Sequence, residues 1–267
     1  MSSNHDVRHY PGLRLFSGLV FLYLYAPLAI IVVYSFNANR ITGVWTGFSL
    51  RWYGSALQNA GLMDALKTSL TVAVIATIIS TTIALLAALA IVRGRRVRLR
   101  SVSQTVVNLP LLLPEIVLAV ATLILFSLIG LQNGLLKLII AHSAFCTPFA
   151  YLPIQARLQG MSLDYEEAAT DLYASRWVAF RRVTLPMIFP GLFSGAMLAF
   201  LISMDDYITS SMLNTGGTTT LPVYIFSLIR RGTSPELNAV ATMLIVASLI
   251  LATTALGVAA RGMRNDT

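Results

Sequence analysis

The chain has 267 residues, of which 56% are hydrophobic and 11% charged, whereas soluble domains carry about 25% charged residues. This balance argues against a soluble enzyme or a nucleic-acid binder, and the net charge of +8 fits basic loops that face anionic lipid. The single cysteine, Cys146, excludes an internal disulfide and a structural zinc site of about four ligands. The length suits one polytopic membrane domain over 1–267, all-α, with about six spans of roughly 20 apolar residues each.

A bilayer core admits only segments that satisfy their own backbone hydrogen bonds, so long runs free of charge mark the spans. Six runs qualify in chain order: 15–39, 68–92, 116–136 with an uncharged approach from Ser101, 138–156, 183–204 and 237–260. The first is too long for the apolar core of a signal peptide and is read as a retained span. Trp45, Trp52 and Tyr53 follow it, placed to anchor the first outer loop at the lipid boundary. Glu115 follows Pro114 at the head of the third run, where the segment Leu-Pro-Leu-Leu-Leu-Pro would break a helix and open backbone to a cavity. A further uncharged stretch, 207–229, contains Asn214, Gly216, Gly217 and Pro222, which predicts a loop and then a short interfacial helix over 221–229. Ser234, Pro235 and Glu236 supply an N-cap, a first-turn proline and an acid to start the sixth span.

Orientation rests on the loop holding Arg93, Arg95, Arg96, Arg98 and Arg100, because Lys and Arg beside spans stay in the cytoplasm. Both termini are then cytoplasmic, and thirteen of the nineteen Lys and Arg residues fall on the inner side.

Ionised acids near a bilayer centre cost about 2.5–3.5 kcal/mol each even on the lenient insertion scale, so Asp205 and Asp206 call for a function. On a wheel at ~100° per residue, Gly191, Gly195, Ala199 and Ser203 form a stripe whose middle holds Asp206, with Asp205 about 100° away. Small residues at four-residue steps mark close helix packing, so Asp206 is expected to face protein or an aqueous path. The alternative puts the pair, and Glu115 likewise, at the water boundary as helix-end features. His142 and Cys146 share a helical face, but two groups are too few for a metal site, and His142 is read as bonding between helices.

The inner loop between the fourth and fifth runs, about 157–186, is mixed in character. Asp164, Glu166 and Glu167 open a helix, Ala168 and Ala169 let another backbone approach, and Arg181 and Arg182 precede Pro186. Composition alone allows either a docking surface or an ordinary amphipathic loop with interfacial Trp177 and Phe180.

The order Glu167-Ala168-Ala169, three residues, Tyr173, nine residues, Val183, one residue, Leu185-Pro186 resembles the EAA loop of ABC-importer permeases. Tyr173 stands where that pattern has Gly, and Val183 where it usually has Ile. Left-handed backbone angles cost a non-glycine residue about 1–2 kcal/mol, so the bend between the two coupling helices is expected to differ here. Further stretches carry the resemblance over nearly the whole chain: Tyr25-Ala-Pro27, Tyr34 to Asn37, Trp52-Tyr53, Leu113 to Ile116, His142 to Pro148, Met204-Asp-Asp206 and Ser234 to Ala239. Together they look closest to the spermidine and putrescine permease subunits.

That resemblance implies the maltose-type permease fold in a bacterial inner membrane, a homologous permease partner, two ATPase subunits and an extracytoplasmic solute-binding protein. The only lysines, Lys67 and Lys137, each follow a leucine, so the chain has no Gly-Lys of a phosphate-binding P-loop. Hydrolysis, with its ATP and Mg, is therefore assigned to the partner ATPases, and no cofactor to this chain. The coupling residues are Glu167, Ala168, Ala169, Tyr173, Val183, Leu185 and Pro186. Asp206, with Asp205 or Glu115 as a second acid, is expected to line the path of a small cation, because a desolvated ammonium group needs an anionic partner. Import of another small solute, such as an amino-acid derivative, is the alternative. An ATP-independent secondary transporter is the rival from another class, and the EAA spacing counts against it.

Overall fold

The computed structural model describes residues 11–41, 43–94, 97–230, 232 and 235–264. The side chains of Arg95, Arg96, Arg98 and Arg100, on which the orientation rests, and Ser234, the expected N-cap, lie outside what it describes. Contacts divide the chain into two compact units, residues 1–59 with 228–250, and residues 60–227 with 251–267.

In the first unit, α1 (Pro11–Ser35) leads into an outer loop and the short helix α2 (Arg51–Gln58). The loop is built around Asn37, which is buried and donates to the Val44 carbonyl at 2.7 Å. Trp52, read as a lipid anchor, donates its indole N–H to the Asn37 carbonyl at 2.8 Å. Phe36 stacks on Phe48 with centroids 5.2 Å apart, which closes the loop on itself.

The second unit contains α3 (Ala60–Arg93), α4 (Val97–Leu112), α5 (Glu115–Leu128), α6 (Gly134–Gln159), α7 (Asp164–Asp171) and α8 (Arg176–Ala179). A π-helical turn (Phe180–Thr184), α9 (Leu185–Asp205) and α10 (Ile208–Leu213) follow. Two helices cross the division between the units, α11 (Leu221–Arg230) and α12 (Pro235–Arg264). α12 takes the place of the sixth charge-free run, and α11 is the short helix expected over 221–229. Among the described residues, four helices are long and apolar enough to cross a membrane, and a fifth span results if α4 and α5 count as one.

The third span departs from an unbroken helix. Ser101–Leu112 and Glu115–Leu128 meet at 105°, because Pro114 has no N–H to continue the ladder and restricts Leu113 before it. α5 has 14 residues, about 21 Å, which is short of a core about 30 Å thick. The stretch 207–220, expected as loop, holds the two-turn helix α10 before the irregular residues 214–220. Its start is set by the Asp206 side chain, as described below.

Mutual packing of α3, α6 and α9 forms the core. Hydrophobic burial does not distinguish a neighbouring helix from lipid, so close association depends on small residues that bring backbones together. On α3 the buried face runs Ala65, Ser69, Ala73, Ala76, Ser80, Ala84 and Ala88. The α9 stripe Gly191, Gly195, Ala199 and Ser203 is buried as the wheel predicts. At Gly195 the approach is backbone to backbone, since an added Cβ would lie 2.5 Å from the Ala150 carbonyl oxygen. Tyr151, Ile154, Leu158 and Ile188 fill the same core.

At the end of α7 the Ala174 N–H bonds the Ala169 carbonyl at 3.0 Å and the Tyr173 N–H bonds that of Thr170 at 2.9 Å. This is the paired closure that glycine usually completes at the first residue past a helix cap. Tyr173 completes it with φ 60°. Tyrosine adopts the left-handed angle itself, and with its side chain 98% exposed only the local steric cost remains. Tyr173→Gly is expected to relieve up to about 1 kcal/mol of that cost, net of glycine's extra chain entropy. Amide exchange at Ala174 should slow by up to about fivefold. Unchanged or faster exchange would show that the turn stores no such strain.

Candidate functional site

The chain leaves α9 at Asp206, whose extended backbone (φ −65°, ψ 117°) turns it into α10. Its carboxylate accepts the backbone N–H of Thr209 at 3.2 Å and of Ser210 at 2.7 Å, satisfying donors that open α10. His142 Nε2, from the middle of α6, lies 3.3 Å from the same carboxylate. A carboxylate only accepts, so Nε2 carries the proton. His142 Nδ1 meets the Ser203 hydroxyl at 2.7 Å, and Nε2 also lies 3.2 Å from Ser210 Oγ. Asp206 is 6% exposed and His142 1%, so one polar cluster ties α6, α9 and α10 together within the core. His142 thus bonds between helices, as expected, and Cys146 turns its thiol to the Ala199 carbonyl at 3.4 Å.

Asp206 also forms part of the wall of a cleft of about 650 Å³. Asp205 and Glu115, both exposed, line the same cleft. Glu115 sits in the first turn of α5, immediately after the Pro114 break, where an acid favours the positive end of the helix dipole. Its carboxyl shares the cleft with those of Asp205 and Asp206. The remaining wall is apolar and aromatic, including Leu111, Leu118, Phe145, Phe149, Ile202 and Tyr207, with no Lys, Arg or His among the lining residues. Carboxyl groups gathered in one cleft repel one another unless a cation or a proton intervenes, and aromatic faces add further attraction for a cation. The arrangement suits a slender solute with positive ends and an alkyl body.

At the other set of residues singled out in the sequence, Glu167, Ala168 and Ala169 lie on α7, Tyr173 at the turn, Val183 on the π-helical turn, and Leu185 and Pro186 at the start of α9. Glu167 and Ala168 are exposed, Ala169 is half-buried, and α7 has no fully buried residue. Leu163, Leu172, Tyr173 and Trp177 expose apolar surface around it. A second cleft of about 700 Å³ runs along this segment, lined by Arg93, Glu166, Glu167, Thr170, Arg176 and Thr184 among others.

The structure pairs Asp206 with His142 and Glu166 with Arg93, whose Nε lies 3.2 Å from Glu166 Oε1. Both pairs join residues more than 60 positions apart, and no local spacing announces such contacts. The aspartate at the end of α9, three and four residues ahead of the amides it caps, was the one signal available for α10.

The family described as "Binding-protein-dependent transport system inner membrane component" matches residues 80–264. The chain is 37% identical over 233 residues to the putrescine transport system permease protein PotI of Escherichia coli (strain K12), covering 85% of this chain and 83% of that protein. It is 39% identical over 236 residues to the spermidine/putrescine transport system permease protein PotC of Haemophilus influenzae, covering 88% and 91%. In fold it is similar to a chain of a bacterial alginate ABC transporter solved in complex with an alginate pentasaccharide-bound periplasmic protein, with a TM-score of 0.72, 19% identity and 91% of both chains covered. The match over most of the chain, and the membrane helices that carry it, show that this protein belongs to the binding-protein-dependent inner-membrane permeases of ABC importers and is related to the PotI and PotC permeases.

Proposed function

We propose that this subunit passes a polyamine, or a closely similar small cation, across the bacterial inner membrane. The observation that carries the reading is the cleft that gathers Glu115, Asp205 and Asp206 against an aromatic and apolar wall. Asp206 is held by His142 and by α10, so its charge is fixed in place, while Asp205 and Glu115 are exposed in the cleft. The polyamine names of the relatives support the same class of solute.

Its partners in this reading are a homologous permease, two ATPase subunits that bind ATP and Mg, and an extracytoplasmic solute-binding protein. Both termini face the cytoplasm, and residues 1–267 act as one permease domain. ATP-driven closure of the ATPases moves α7, where Glu167, Ala168 and Ala169 seat in a groove of the ATPase. Tyr173, Val183, Leu185 and Pro186 shape the segment that carries this motion into α9. The bundle then rocks between states open to either side.

In the reconstituted complex, Glu115→Gln combined with Asp205→Asn is expected to raise the apparent KM for putrescine about tenfold or more. Spermidine should suffer a greater loss, with assembly and basal ATP hydrolysis preserved. Normal uptake of both amines would remove these acids from recognition. For docking, Ala168→Trp should abolish ATPase association while the permease still inserts. Retained association and coupling would show that α7 is not the docking element.

A further inference from the structure

The docking helix has little else to hold it. α7 is eight residues long and none of its residues is buried, so apolar packing does not fix its position against the bundle. Glu166, one residue ahead of the seated face, supplies a polar attachment instead. Its Oε1 accepts from Arg93 Nε at 3.2 Å and from the Thr184 hydroxyl at 3.2 Å. Arg93 is the last residue of α3, and its Nη2 also donates to the Met161 carbonyl at 3.2 Å, just ahead of α7. Thr184 is buried at the end of the π-helical turn that feeds α9.

The hydroxyl sits on a π-helical turn. In a regular helix a threonine hydroxyl commonly bonds the carbonyl four residues back. Here the Leu185 N–H bonds the Phe180 carbonyl across the wider turn, and the Thr184 hydroxyl bonds Glu166 instead. One carboxylate oxygen thus joins α7 to the ends of α3 and α9, the two helices that pack with α6 as the core.

We infer that Arg93, Glu166 and Thr184 form a clamp that transmits displacement of α7 to the bundle, with Arg93 and Thr184 acting as positioning residues for coupling and not for docking. The inference rests on the reading of α7 as the ATPase dock. A guanidinium suits the task because its fixed fork can hold the carboxylate and the Met161 carbonyl at once. A lysine cannot reproduce both contacts as a point charge.

The test uses the full complex in proteoliposomes and measures ATPase association, ATP hydrolysis and uptake per ATP hydrolysed. Arg93→Met, Glu166→Gln and Thr184→Val should each keep the ATPase bound and hydrolysing, with uptake per ATP reduced at least about fivefold. Arg93→Lys should fall between the wild type and Arg93→Met. The exchange Arg93→Glu with Glu166→Arg should recover part of the coupling lost in either single change, a rescue that a general loss of stability does not give. Normal uptake per ATP in the single variants overturns the clamp, and so does loss of ATPase association in step with loss of uptake. The Ala168→Trp complex separates the two readings: if it still binds the ATPase, the docking assignment fails. If it does not bind while Arg93→Met couples normally, docking stands and the clamp alone falls.

Discussion

A carboxylate buried inside a membrane bundle needs partners for its oxygens, and Asp206 obtains three from two elements. Two come from the first amides of α10 and one from His142 on α6. Removing one member of such a buried pair typically costs about 3–5 kcal/mol, because the charge left behind is uncompensated. The site's architecture follows from this need. α9 must end where it does, the chain must turn sharply to offer its amides, and α6 must bring an imidazole to the same point. The carboxylate that shapes the cleft is also the one that fastens its walls.

Small residues make that convergence feasible. The backbone approach at Gly195 and the alanine and serine face of α3 set α3, α6 and α9 close together without large side chains between them. His142 can then reach Ser203 and Asp206 within ordinary hydrogen-bond distances. Outside this tight core the acids Glu115 and Asp205 remain exposed in the cleft, and α7 stays outside the core altogether. A rigid bundle that carries an accessible charged wall at one place and a lightly attached helix at another suits a machine in which movement at one site must be felt at the other.

Much of this was legible in the sequence because membranes impose one-dimensional rules. Charge-free runs located the long helices, and the four-residue steps of Gly191, Gly195, Ala199 and Ser203 located the packed face of α9. The Pro114 break was readable because a missing N–H acts locally. Asn214, Gly216 and Gly217 point to a loop over 207–220, but the Asp206 side chain caps a short helix within it. Tyr173 is a position where residue type alone does not give the backbone angle: with its side chain exposed, it takes the left-handed angle usually left to glycine. The pairings of His142 with Asp206 and of Arg93 with Glu166 depend on how helices meet in three dimensions, which the order of residues along one helix does not encode.

A double-mutant cycle on His142 and Asp206 tests the central claim most directly, with unfolding of the purified permease in mixed micelles followed for His142→Phe, Asp206→Asn and the double variant. If the pair fastens α6 to the junction of α9 and α10, the two losses are non-additive by about 1–3 kcal/mol. Losses that add to within about 0.5 kcal/mol would contradict it.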